Sequence, residues 1–163
     1  MAVAKELLSE SSDDKIQRKL VCIMFLDIRG FTPFAESRKP EEIIQYQNKV
    51  FGFMIDSVYK HHGIINQFLG DGFMATFGAP VSTGNDCINA VNSAIEISNE
   101  LKLQIEQAKL PDIKIGIGLH AGDVVTGNVG TSTRKQYSVT GNVVILASRI
   151  EQLNKKYDST VLI

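Results

Sequence analysis

The chain has 163 residues, of which 44% are hydrophobic, so it is long enough for one globular domain with a buried core. Its 17 basic and 18 acidic residues give a net charge of −1, and no basic tract or aromatic–basic pattern suggests a nucleic-acid partner. The charged N-terminus is unlike a signal peptide, and no apolar run reaches the roughly 18 residues of a membrane span. We therefore expect a cytoplasmic domain without direct membrane contact, which leaves open a membrane anchor elsewhere in a longer parent protein.

Residues 1–18 are polar and predict a tail or the end of an upstream connecting helix, so we place the domain at residues 19–163. Hydrophobic periodicity in the rest of the chain predicts strands at Leu20–Leu26, Ile64–Leu69, Phe73–Phe77, Ile113–His120, Asp123–Val129, Tyr137–Thr140 and Thr160–Ile163. It predicts helices at Glu41–His62, Asp86–Gln107 and Val143–Tyr157. In the second helix we expect an inward face made of Ile88, Val91, Ile95, Leu101 and Ile105.

The order β-α-β-β-α-β is that of the split βαβ arrangement. The predicted fold is α+β, a ferredoxin-like sandwich with an antiparallel-rich sheet and its helices on one face. In such a sheet the end of the first strand lies beside the first hairpin. Asp27 and Asp71 should therefore meet in space, although 44 positions separate them in sequence.

Two segments, Val21–Phe34 and Phe68–Pro80, each place one of these aspartates beside glycine at the end of an apolar strand. Two acids at the edge of a buried sheet can hold hard cations such as Mg²⁺, which bring a nucleoside triphosphate with them. Taken singly, Asp27 could only cap a helix, and Asp-Gly is a common hairpin turn. The pair together favours chemistry on phosphate.

Four segments, at Phe25–Thr32, Phe68–Gly78, Gly116–Gly127 and Tyr137–Glu151, resemble the motifs of class III nucleotidyl cyclase catalytic domains in type and order. The resemblance spans roughly residues 19–163 and favours the adenylyl cyclases of bacterial type. It implies conversion of ATP to 3′,5′-cyclic AMP and pyrophosphate, with two Mg²⁺ or Mn²⁺ ions per site, in intracellular signalling.

The resemblance also assigns roles to individual residues. Asp27 and Asp71 match the two metal ligands, and the carbonyl of Ile28 would complete the second metal site. Arg149 matches the arginine that stabilises charge on the α-phosphate, a task that suits fixed N–H donors. The backbone N–H groups that would face phosphate oxygens, at the start of a short helix, are those of Gly30, Phe31 and Thr32.

In the family, this arginine and the metal aspartates of one site come from different subunits. The resemblance therefore implies a head-to-tail homodimer with two sites at its interface. Family members are usually output domains, so an upstream sensor domain is a further expected partner. Arg29, beside the metal motif, is interpreted as a solvated surface charge.

The base-recognition positions depart from the family pattern, because Gln67 stands where a lysine is usual and Ser138 where an aspartate or threonine is usual. An amide and a hydroxyl can each donate or accept a hydrogen bond, so the pair can bind adenine without rejecting guanine electrostatically. ATP is the preferred substrate and GTP the alternative.

The ribose-orienting position departs more sharply, because Ile145 replaces an asparagine and cannot form a hydrogen bond. Losing one positioned donor typically lowers the rate on the order of 10²–10³-fold. An active but slow enzyme is one interpretation, and a heterodimer whose partner supplies the asparagine is a variant of it. The other is a degenerate domain that binds nucleotide, or only dimerises, as a regulatory module.

Four smaller predictions concern the rest of the chain. Cys22 and Cys87 are expected to be buried thiols in a reducing compartment. Residues 131–135 are interpreted as a mobile loop, and five glycines as strand and turn punctuation, namely Gly116, Gly118, Gly122, Gly127 and Gly130. The family domain continues into further strands beyond Ile163, so we expect this one to lack its C-terminal strands.

Overall fold

The computed structural model of the protein describes residues 15–163, and the prediction for the first fourteen residues lies outside that range. The strands are β1 (Gln17–Ile28), β2 (Gly63–Phe68), β3 (Gly72–Phe77), β4 (Ile115–Thr131), β5 (Arg134–Thr140) and β6 (Val161–Leu162). The helices are α1 (Phe31–Glu36), α2 (Pro40–Lys60), α3 (Asp86–Glu106) and α4 (Asn142–Tyr157). Among the described residues, no helix combines the length and the apolar character needed to cross a membrane.

The sheet confirms the predicted α+β fold. Its strand order is β2-β3-β1-β4-β5, with every neighbouring pair antiparallel, while the short β6 pairs parallel with β4. The predicted hairpin is the β2–β3 pair, and β3 lies directly beside β1. This order places the end of β1 next to the turn of the hairpin, which is the geometry that the candidate site needs.

One face of the sheet carries the larger apolar core. Alternate residues of β1, namely Cys22, Met24, Leu26 and Ile28, point to this face. Helices α2 and α3 cover it, because their buried side chains belong to the same cluster. Burial of this size is the main source of stability in a domain of this length.

Helix α4 covers the opposite face, so the prediction that all helices lie on one face is wrong. The glycines of β4 that alternate with its core residues face α4 at very short range. A Cβ on Gly116 would lie 2.6 Å from Glu151 Oε1, and one on Gly122 would lie 2.6 Å from Val143 Cγ2. Together with Gly118, these glycines allow α4 to pack close to the sheet. The prediction that they only mark strand ends and turns is therefore wrong for these three.

Residues 115–131 form one long strand where two shorter strands were predicted. Its first part pairs with β1 and its last part with β5, through the register Val125↔Thr140 to Thr131↔Arg134. The predicted loop at residues 131–135 is therefore a tight hairpin turn, with both of its ends in the ladder. At the start of the chain, β1 already includes Gln17 and Arg18, because they pair with Thr126 and Val125.

The inward face of α3 differs from the prediction. Ile88 and Ile95 are 60% and 50% exposed, whereas the buried positions begin with Ala90, Ser93 and Ala94. Small side chains let α3 pack closely on α2, where the Ser57 and Ser93 hydroxyl oxygens lie 3.3 Å apart. Alanine and serine contribute little to hydrophobic periodicity, so the spacing of the large apolar residues predicted the wrong buried face of α3.

The two thiols also differ from each other. Cys22 is buried as predicted, and burial is the main cause that raises its pKa to about 12. Cys87 is exposed in the first turn of α3, so the prediction of a second buried thiol is wrong.

Candidate active site

Asp27 and Asp71 meet at the edge of the sheet. Asp27, the last residue but one of β1, pairs with Gly72, and the Ile28 N–H donates to the Asp71 carbonyl at 2.9 Å. The two carboxyl side chains share a hydrogen bond. Burial, and then this bond to Asp71, raise the pKa of Asp27 to about 7. The structure thus brings together the two predicted metal ligands and the Ile28 backbone.

The turn that carries Asp71 is built around two glycines. Gly70 has a φ of +72°, a backbone conformation that residues with an L side chain rarely adopt. At Gly72 a Cβ would run into the Leu26 carbonyl oxygen of β1. The Gln47 amide of α2 donates to the Gly70 carbonyl at 3.0 Å. The turn is therefore held by α2 and pressed against β1.

Helix α4 adds two charged residues to the carboxylate pair. Lys155 Nζ lies 4.0 Å from Asp27 Oδ2, and Glu151 is only 7% exposed. Burial raises the pKa of Glu151, and the absence of a side chain at Gly116 leaves room for its Oε1 atom. Sequence reasoning missed both residues. Their spacing of four on one helix was a usable signal, since it places them on one face.

Arg29 is not the solvated surface charge that was predicted. Its side chain is only 15% exposed, and NH1 lies 3.3 Å from an Asp158 carboxylate oxygen. The guanidinium also donates to the Ser159 carbonyl. Arg29 therefore joins the end of β1 to the segment after α4. A cavity of about 490 Å³ lies beside this contact, and neither Asp27 nor Asp71 lines it.

The donor set fits a hard divalent cation held jointly with a ligand. Two carboxylates side by side, with a raised pKa on Asp27, are stabilised by a cation placed between them. Among the described residues, no group of three or more His, Cys, Asp or Glu side chains is arranged to hold a metal ion. Mg²⁺ takes about six oxygens, so carbonyls, water and phosphate would have to supply the remainder.

The segment predicted to face phosphate lies beside Asp27 in the chain. Gly30 precedes α1 with φ of +70°, and Phe31 is the first helical residue, followed by Thr32. A Cβ on Gly30 would meet no protein atom within 4 Å, so the backbone angle is what calls for glycine there. The Phe31 ring packs on Tyr46 at a centroid distance of 6.2 Å, which ties α1 to α2.

Gln67 and Ser138 come together, although 71 positions separate them in sequence. Both line a cavity of about 220 Å³ between the β2–β3 hairpin and β5. The Ser138 hydroxyl oxygen lies 3.2 Å from the Thr140 hydroxyl oxygen. The cavity contains the two predicted base-recognition residues and neither carboxylate of the Asp27–Asp71 pair.

Ile145 and Arg149 lie one turn apart on an exposed part of α4. Ile145 is 52% exposed and Arg149 is also exposed. Arg149 precedes Glu151 by two positions, which is about 200° around a helix. Because Glu151 and Lys155 face the carboxylate pair, Arg149 projects from a different side of α4. The structure does not bring Arg149 to the carboxylates of its own chain.

Fold and site together define an α+β domain of the nucleotidyl cyclase type. Residues 14–161 match the family model described as the adenylate and guanylate cyclase catalytic domain. The chain belongs to this family. It is 36% identical to adenylate cyclase 1 of Rhizobium meliloti over 148 residues, which are 89% of this chain and 22% of that relative.

Two solved structures are similar in both sequence and fold. The guanylyl cyclase Cya2 is 38% identical with a TM-score of 0.76, over 84% of this chain and 71% of that one. The adenylyl cyclase CyaB from P. aeruginosa is 33% identical with a TM-score of 0.78, over 85% and 74%. The neighbours thus include cyclases of both base specificities. The chain spans only 22% of the length of its Rhizobium relative.

Proposed function

We propose that this domain converts ATP to 3′,5′-cyclic AMP and pyrophosphate, using two Mg²⁺ or Mn²⁺ ions per site. The observation that carries the proposal is the Asp27–Asp71 pair. Its carboxyl groups share a hydrogen bond at the sheet edge, and burial with mutual proximity raises the pKa of Asp27 to about 7. A purely structural role would not require two adjoining carboxylates, whose mutual repulsion destabilises the fold.

Each residue around the Asp27–Asp71 pair has a task in this proposal. Asp27, Asp71 and the Ile28 carbonyl hold the cations, which lower the pKa of the ribose 3′-hydroxyl and neutralise the triphosphate. Gly30, Phe31 and Thr32 direct backbone N–H groups at phosphate oxygens. Lys155, whose side chain is 62% exposed, is free to exchange its contact with Asp27 for one with solvent or phosphate when cations bind.

Arg149 supports a site shared between subunits. It is exposed and projects from a different side of α4 than the residues that face the carboxylates of its own chain. In a head-to-tail homodimer it would reach the α-phosphate bound by the partner, where a fork of N–H donors stabilises developing charge. Activity should then rise more steeply than linearly with protein concentration while the dimer is forming.

The base preference follows from the cavity of Gln67 and Ser138. Its volume of about 220 Å³ and its mixture of amide, hydroxyl and apolar groups suit a purine ring. Neither residue is charged, so a preference for adenine over guanine has to rest on hydrogen bonds alone. We therefore propose ATP as the substrate, with GTP as the competing one.

The second candidate function is a regulatory module that binds nucleotide or dimerises without turnover. Ile145 favours it, because an apolar side chain stands 52% exposed one turn before Arg149, where the ribose would need a hydrogen-bond partner. A partner chain supplying an asparagine would restore the site in a heterodimer. In either case we propose that the domain works in the cytoplasm, where its nucleotide is found, under the control of an upstream sensor.

The test measures product from ATP and from GTP separately, with Mg²⁺ and with Mn²⁺, at several protein concentrations. We expect cyclic AMP that disappears in Asp27→Ala. Cyclic GMP as the main product would overturn the base assignment. Absence of product from both nucleotides, in a protein that binds them and dimerises, would favour the regulatory module.

A further inference from the structure

Besides Gln67 and Ser138, the cavity is lined by three polar residues to which the sequence assigned no role, namely Asn66, Gln136 and Tyr137. Apolar walls come from Met74, Val129 and Val139, and no charged side chain lines the cavity among the described residues. With no charge present, discrimination between purines has to come from the direction of hydrogen-bond donors and acceptors. A hydrogen-bonding group that is held in one direction therefore discriminates between purines better than one that can rotate.

A β-bulge brings Asn66 into the cavity. The pairing between β2 and β3 changes register between Ile65 and Gln67, which leaves Asn66 without an opposite residue. In a regular strand, neighbouring side chains point to opposite faces. Here Asn66 and Gln67 both line the same cavity. Bulges are a common means of redirecting a side chain beside an active site.

The Asn66 amide is also fixed in direction. The Thr76 hydroxyl, on a fully buried residue of β3, donates to Asn66 Oδ1. Since its oxygen is engaged by Thr76, the amide keeps its two N–H donors for other partners. The other two amides of the cavity, Gln67 and Gln136, are exposed, and neither has a comparable anchor on a buried residue within the described part of the chain. Asn66 is thus the best-oriented amide of the three.

We propose that Asn66 is a specificity-determining residue, whose amide donates a hydrogen bond to N1 of adenine. This inference rests on the proposed function, because it refers to the purine of the nucleotide bound there. Adenine has an acceptor at N1, whereas guanine has a donor at N1 and accepts on that edge only at O6. A donor fixed opposite N1 therefore pairs with adenine and meets another donor in guanine.

The experiment replaces the donor by an acceptor of equal shape. Asn66→Asp keeps an oxygen for Thr76 and places a second acceptor where the amide nitrogen was. Affinities for α,β-methylene ATP and α,β-methylene GTP, which cannot lose pyrophosphate, are measured by calorimetry with Mg²⁺ on the whole chain. We expect the preference for the adenine analogue to fall by about tenfold or more in Asn66→Asp.

Two further variants separate recognition from folding. Asn92→Asp makes the same change at an exposed position of α3 and should leave the preference unaltered. Thr76→Val removes the hydroxyl that fixes the amide, and should reduce the preference by a smaller factor while Asn66 itself is intact. If Asn66→Asp does not fold, the Thr76→Val result decides.

The outcomes distinguish this inference from the proposed function. A wild-type chain that binds neither analogue contradicts the proposed function and removes the basis of the inference. Wild-type binding of the adenine analogue, with the same preference in Asn66→Asp and Thr76→Val, contradicts the inference alone. Equal weakening of both analogues assigns Asn66 to support of the hairpin and also contradicts it.

Discussion

The candidate site has a charged end and an uncharged end, and the two follow different rules. At the charged end, Asp27 and Asp71 share a hydrogen bond, with Lys155 within 4.0 Å of Asp27. At the uncharged end, Gln67 and Ser138 line a cavity without any charged side chain among the described residues. Phosphate chemistry requires particular charges, whereas purine selection can be achieved by several neutral hydrogen-bonding sets. The charged end therefore matches the family pattern, and the uncharged end departs from it.

Breaking the charged end should have the largest effect. Asp71→Asn keeps the shape of the turn but removes a negative charge needed to hold the cations. We expect turnover of ATP to fall at least about 10³-fold, since the cations stabilise the transferring phosphate. Turnover is measured as cyclic nucleotide formed at saturating Mn²⁺.

The control for Asp71→Asn is Asp56→Asn, an equal change at an exposed position of α2. It should retain wild-type turnover. The comparison of the two ends also predicts that Asp71→Asn leaves the ratio of adenine to guanine analogue binding unaltered. Full turnover in Asp71→Asn would remove the catalytic role of the charged end.

Ile145 lies at neither end, and restoring a donor there should raise the rate. Ile145→Asn places an amide on the exposed side of α4, one turn before Arg149. We expect kcat to increase about 10–100-fold, because a positioned hydrogen bond to the ribose is regained. The measurement is the initial rate at saturating ATP.

The matched control is Ile88→Asn, because Ile88 is 60% exposed on α3 and lies outside the proposed site. It should leave kcat unchanged. A rate that does not rise in Ile145→Asn would indicate that another group already orients the ribose, or that the domain does not catalyse the reaction.

Without bound metal, the charged end should lower the free energy of unfolding by an amount that depends on pH. Folding raises the pKa of Asp27 from 3.8 to about 7. Between pH 3.8 and about pH 7, the folded chain therefore keeps a proton on Asp27 that the unfolded chain has released. Stability therefore falls as pH rises through this window. Asp27→Asn removes the buried charge, and we expect it to be about 1–2 kcal/mol more stable than wild type near pH 8.

Urea unfolding near pH 8 and near pH 4.5, with and without Mg²⁺, tests this expectation. The difference between Asp27→Asn and wild type should shrink at the lower pH, where Asp27 is protonated. It should also shrink when Mg²⁺ binds the wild-type site. A variant that is less stable than wild type at both pH values would show that the Asp27 charge stabilises the fold.

The arrangement of the two aspartates could be predicted because short-range signals fix it. An apolar run ending in Asp27 and a Gly-Asp-Gly turn at Asp71 specify a strand end and a hairpin, and the β-α-β-β order places them side by side. The placement of α4 was not predictable in this way. It depends on Gly116, Gly118 and Gly122, whose contacts with α4 are long-range and look like turn signals in sequence.

The same distinction applies within the site. Glu151, Lys155 and Asn66 were missed because their roles depend on partners far along the chain, namely Asp27 for the first two and Thr76 for the third. Arg29 was assigned to solvent because nothing local indicates Asp158 as its partner. Single-sequence patterns report local geometry, and these contacts are set by the packing of α4 and by one bulge.

The smallest expected effect concerns Lys155, which distinguishes the two ends by their response to salt. Its ammonium lies 4.0 Å from Asp27 Oδ2 and lowers the pKa of that carboxyl, but the lysine side chain is 62% exposed. Lys155→Gln should shift the acid limb of the pH–activity profile upward by about 0.2–0.7 units at low salt. The shift should shrink at high salt, because solvent ions screen an exposed pair.

The control is Lys156→Gln, one position along α4, which removes an equal charge that stacks on Tyr157 and should leave the pH–activity profile unchanged. Equal shifts in both variants would indicate a general effect of net charge, and a changed purine preference in Lys155→Gln would show that the two ends are coupled.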